Sequence, residues 1–101
     1  MHKVVINNCF GGFGLSTEAL DYLEDKFGLQ VIRHRYGSYL EVDLERHDHR
    51  LVEVVELLEE KASDSFARLV IIEVSSPMYR IEEYDGRESI ETPDSLDWIV
   101  I

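Results

Sequence analysis

The residues with most chemistry to offer run from Asn8 through Cys9, Phe10, Gly11, Gly12, Phe13 and Gly14 to Leu15 and Ser16. Three of the chain's six glycines fall within four positions. A glycine tolerates positive φ and lets another group come close to the backbone. The β-branched run Val4-Val5-Ile6 precedes the loop and reads as a buried strand. Ser16 follows as a helix N-cap, with Glu18 in the first turn. Strand, glycine loop and helix is a layout that offers free N–H groups to an anion. The stretch is neither a P-loop, since Gly-Lys-Ser/Thr is missing, nor a full dinucleotide fingerprint. Two readings stand side by side. The loop receives a ligand or partner, or it is a tight turn that sends Phe10 and Phe13 into the core.

Arg33, Arg35, Arg46 and Arg50 concentrate guanidinium groups in residues 33–50. Each can grip a carboxylate or phosphate through a planar fork. Folded beside the glycine loop, they are candidates to hold an anionic small molecule. Otherwise they pair with neighbouring Glu and Asp at the surface, where such pairs contribute little. His34, His47 and His49 share this segment. His47-Asp48-His49 aims both rings one way only on a strand, and at a helix start they diverge, so no metal is expected. Cys9 has no base and orienting group in recognisable spacing, so no catalytic residue, enzyme activity or cofactor is expected. Glu53, Glu56 and Glu60 lie opposite an apolar helical stripe. With Glu59, Glu82, Glu83, Asp85, Glu88, Glu91, Asp94 and Asp97 they form either an acidic interaction face or simply a solvated surface.

These residues need elements to position them. Residues 2–8 read as a strand. Leu15, Ala19, Leu20, Leu23 and Phe27 recur at the helical period from Ser16 to Phe27, and Gly28 suits the helix end. Residues 29–36 alternate as a second strand, and Leu40, Val42 and Leu44 suggest a further extended piece. Asp48 is an N-cap for a helix from His49 to Ala62, whose stripe is Leu51, Val54, Val55, Leu58 and Ala62. Leu69 to Val74 is almost wholly apolar and reads as a central strand. Asp85-Gly86 marks a hairpin between residues 79–84 and 87–92. Pro93-Asp94-Ser95 is a turn, and Trp98-Ile99-Val100-Ile101 reads as a last short strand. The order implies an α+β fold, with two helices on one face of a mixed, mainly antiparallel sheet of about four to six strands.

A chain of 101 residues with 45% apolar content is expected to form one domain. A single cysteine forbids an intrachain disulfide and fits a reducing cytoplasm. Neither a secretory leader nor a membrane span is legible. The net charge of −11 is uneven: −2 over residues 1–32, zero over 33–50 and −9 over 51–101. Such a surface opposes direct nucleic-acid binding and suits a basic protein partner.

Three stretches together carry a resemblance. They are Lys3-Val4-Val5-Ile6-Asn7 continuing through Cys9-Phe10-Gly11-Gly12-Phe13-Gly14-Leu15-Ser16, then Arg46-x-Asp48-x-x-Leu51-Val52-x-Val54-Val55-Glu56, then Ile81-Glu82-Glu83-Tyr84-Asp85-Gly86-x-Glu88. In motif order the chain resembles a family of small proteins encoded by bacteriophages and prophages. The third stretch departs from that pattern at Ser89, where a tryptophan is expected. The resemblance carries no activity to individual residues. It implies a small cytoplasmic protein of a bacterial host cell that binds and inhibits a host protein, in host takeover or against host defence. The alternatives are an anionic small-molecule binder that uses the glycine loop, and a structural homodimer.

Overall fold

The computed structural model describes residues 1–35 and 37–93. The expected C-terminal strand, the turn at 94–95, Asp94, Asp97 and Tyr36 lie outside the described residues. The fold is α+β. Strand β1 (His2–Asn7) runs through its middle, and Val4, Val5, Ile6 and Asn7 are all buried. It pairs antiparallel with β4 (Leu69–Val74), Val5 facing Ile71 and Asn7 facing Leu69. Val5 and Leu69 pack among Leu23, Leu51 and Val54 of the helices. Val4, Ile6 and Val74 pack on the opposite side with Tyr79, Ile81 and Ile90. Alternating side chains along one strand therefore feed two separate apolar clusters.

The helical side begins with α1 (Thr17–Phe27). Ser16 Oγ accepts from the Ala19 N–H at 3.1 Å, and Gly28 ends the helix at φ 68°. Helix α2 (His49–Leu58) starts at Asp48, whose carboxylate accepts from the Arg50 N–H at 2.9 Å. It stops short of the expected Ala62. Glu59 takes φ 54°, and Glu59–Ala62 continue as a tighter 3₁₀ turn. That turn keeps Ala62 buried and brings its carbonyl to the Ser16 N–H at 2.8 Å.

The outer side is the hairpin of β5 (Arg80–Tyr84) and β6 (Arg87–Glu91). Asp85 and Gly86 both take positive φ, 49° and 86°, as a two-residue primed turn requires. Strands β2 (Val31–Ile32) and β3 (Tyr39–Leu40) are only two residues each.

The sheet thus differs from the one expected. Six strands form three antiparallel two-stranded ladders among the described residues, and no parallel pair occurs there. Of the strand expected at 29–36, the described residues keep only Val31–Ile32, and Arg33 just beyond it pairs with Asp21 and Glu24 of α1 at 2.7 and 3.0 Å. Among the described residues β4 pairs with β1 alone and is not central. It is apolar because helices cover one face and the hairpin flanks the other, not because strands flank it on both edges.

Candidate functional site

Asn7 ends β1 fully buried, where an amide must satisfy all its polar groups. Its Nδ2 donates to the carbonyls of Cys9 (2.7 Å) and Gly86 (2.8 Å), and its Oδ1 accepts from the Arg68 N–H (2.8 Å). Its backbone N–H donates to Glu88 Oε1 at 2.8 Å. One residue thereby ties together the glycine loop, the hairpin turn and the entry to β4.

Glu88 then meets Arg46 in a two-pronged ion pair, Nη1 to Oε1 at 2.5 Å and Nη2 to Oε2 at 2.8 Å. The Arg46 guanidinium lies 3.8 Å above the Phe13 ring. Of the four arginines, Arg46 packs against the glycine loop, and its fork already holds a carboxylate of this chain. Arg33 pairs with α1, Arg50 grips Asp48 at 2.8 and 3.0 Å, and Arg35 stands exposed. The guanidinium of Arg50 holds the Asp48 carboxyl down at about 2.

The loop glycines are packed against protein. A Cβ on Gly11 would overlap the Phe66 carbonyl, one on Gly14 the Asp64 carboxylate, and one on Gly86 would lie 2.5 Å from the Gly12 nitrogen. Gly12 (φ 90°) faces open space. Ser16 Oγ also donates to the Lys61 carbonyl at 2.5 Å. Asn8 Oδ1 accepts from Arg87 Nε at 3.0 Å, and the Cys9 thiol is half-buried and free. A cleft of about 450 Å³ opens between Phe13, Leu40, Val42 and Leu51, with Arg46, Asp43 and Asp64 at its wall. Two carboxylates there oppose an anionic occupant.

Phe10 corrects the tight-turn reading. Phe13 packs on the core, but Phe10 is 59% exposed, near Arg87. Tyr84 (76%) and Ile72 (37%) line the same groove as Phe10, and Phe66 (70%) abuts Gly11. Phe66 was missed in the sequence. Its signal was a lone aromatic directly after the turn residues Asp64-Ser65.

The acidic face divides. Glu53 is held by Lys26 at 2.6 Å and by the Tyr22 hydroxyl at 2.7 Å, which lowers its pKa. Glu56 pairs with Lys3 at 2.9 Å, Glu82 with Arg80 at 3.3 Å and Glu91 with Arg80 at 2.6 Å. Glu59, Glu60, Glu83 and Asp85 stand exposed. Glu88 leaves the acidic face altogether, since it is buried under Arg46. Period-two reading carried the signal, because Glu88 shares a strand face with Ile90. His47 bonds the Tyr79 hydroxyl at 2.7 Å while His49 meets the Phe27 ring edge-on, so the two imidazoles serve different neighbours. Among the described residues no group of three or more His, Cys, Asp or Glu is arranged to hold a metal, and no helix is long and apolar enough to cross a membrane. Compared with protein-family models, curated proteins and solved structures, the chain matches none of them.

Proposed function

We propose that this chain is a non-catalytic protein-binding protein that inhibits a bacterial host protein in the cytoplasm, as the phage-type resemblance implies. The observation that carries this reading is the groove where Phe10, Tyr84 and Ile72 stand exposed beside Arg87 and Glu83. Aromatic and arginine side chains around an apolar patch are the usual anchors of a protein interface. Glu88 lines this groove, where it accepts from the Asn7 N–H and from the Arg46 guanidinium. The acidic exterior selects a basic partner and speeds encounter.

The anionic-ligand alternative has less support. Glu88 fills the Arg46 fork and Asp64 stands against Gly14. A homodimer would bring together two surfaces of net charge −11.

The test starts with native mass spectrometry of the gently purified chain. The bare chain mass is expected, and a retained small molecule would move the function to the loop. Affinity capture from a bacterial host lysate should then recover one stoichiometric protein. Capture should be lost in a Phe10→Ala/Tyr84→Ala variant that melts like the parent. Equal capture by that variant would reject the aromatic groove.

A further inference from the structure

Among the described residues the β1–β4 ladder has one closed edge and one open edge. On the closed edge the Val5 N–H donates to the Arg46 carbonyl at 2.8 Å and the Asn7 N–H to Glu88 at 2.8 Å. Both therefore point away from β4. In an antiparallel register their opposites, Ile71 and Leu69, point away from β1, and so does Glu73 opposite Lys3. Leu69 finds a cap, since its N–H donates to Ser63 Oγ at 2.8 Å. Ile71 and Glu73 present their outward N–H and C=O groups with no hydrogen-bond partner among the described residues.

An open edge is a template for one more strand. Two grooves flank this one. On the helical side, Glu56, Glu59 and Glu60 overhang Leu69, Val70 and Ile71. On the hairpin side, Ile72 lines the groove that holds Phe10 and Tyr84. Side chains of an added strand alternate between these two sides. One set meets carboxylates of which Glu59 and Glu60 have no cationic partner among the described residues, and the other meets Phe10, Ile72 and Tyr84 in a groove that Glu82, Glu83 and Arg87 also line.

We infer that the β4 edge takes an extended segment of a partner protein in which Lys or Arg alternates with apolar residues. Charge selects this occupant. A second copy would set its own Glu59, Glu60 and Glu73 against the same residues. The chain's residues 94–101 hold two aspartates and no Lys or Arg. Arg68 is the cation in the helical-side groove and sits at its entry, beside Asn7. This inference rests on the protein-binding reading and specifies how the partner docks.

The experiment uses the full chain and a blocked peptide of four Lys-Val repeats, read by amide hydrogen exchange at single residues. Before peptide, the Ile71 and Glu73 amides should exchange much faster than those of Val70 and Ile72, which point into the ladder. With peptide near saturation they should slow at least ~10-fold. A four-repeat Glu-Val peptide should give no protection. Glu59→Gln/Glu60→Gln should weaken Lys-Val binding about 10-fold, as expected for two exposed charges. Glu73→Pro should abolish protection at Ile71 while sparing the fold, because proline there removes only an outward donor. Absence of protection, or protection elsewhere on a folded chain, overturns the inference. So does exchange at Ile71 and Glu73 that slows with protein concentration alone, which assigns the edge to a second copy. Slow exchange in the dilute free chain also overturns it, because the chain then covers its own edge. A failed peptide with successful capture through Phe10 and Tyr84 removes only this mode of docking.

Discussion

Asn7, Glu88 and Arg46 form the polar centre, and their energetics follow from burial. Glu88 is nearly covered, and Arg46 is three-quarters so. Removing one partner of such a pair strands the other charge. Glu88→Ala should therefore cost about 3 kcal/mol in urea unfolding. Arg46→Lys should recover only part of the pair's contribution, because an ammonium cannot meet both carboxylate oxygens in one plane. Asp48 offers a separate test through pH. Its folded pKa of about 2 lies below the usual carboxylate value, so the native state binds its proton less readily than the unfolded chain. That stability is present above the unfolded pKa near ~4 and lost as pH falls through the folded value. Asp48→Asn should flatten the stability profile between about pH 4 and 2 while keeping most of the helix cap.

At the scale of elements, the glycine loop is a hinge plate pressed between two turns. Its glycines serve unequal purposes, which makes their substitutions informative. Gly86→Ala meets both positive φ and the Gly12 backbone, and Gly11→Ala meets the Phe66 carbonyl. Each should cost more than ~2 kcal/mol. Gly14→Ala meets a carboxylate that can swing aside, and Gly12→Ala meets only its own φ, at about 1 kcal/mol. Thermal melts should rank Gly86 and Gly11 well above Gly14 and Gly12. An equal cost at all four would show that the loop does not pack as described.

Across the whole molecule, β1 separates two apolar clusters of unequal size. The helical cluster contains fully buried Leu23, Val54 and Ala62, and the hairpin cluster relies on partly buried Ile81 and Ile90. Leu23→Ala should cost about 3 kcal/mol, and Ile90→Ala roughly half of that. Hydrogen exchange should then find the hairpin opening at lower free energy than α2. A hairpin as protected as α2 would mean that the Asn7 and Glu88 bonds, rather than apolar packing, hold it in place.

Local chemistry made much of this legible from the sequence. Ser16, Gly28, Asp48 and Asp85-Gly86 act through bonds and dihedrals within a few residues, so their helix ends and hairpin could be read directly. The apolar stripes placed both helices for the same reason. What the chain could not disclose by itself lies at long sequence separation. Glu88 and Arg46 are 42 residues apart, and their meeting depends on the hairpin crossing β1. The same crossing buries Glu88, which the sequence groups with the acidic face, and fills the Arg46 fork, which the sequence offers to an anionic ligand. Strand grouping was equally hidden, because an apolar run records how many faces are covered and not which edges are paired. Periodicity and capping are set by neighbours along the chain, whereas ion pairing and open edges are set by whatever the tertiary fold brings alongside.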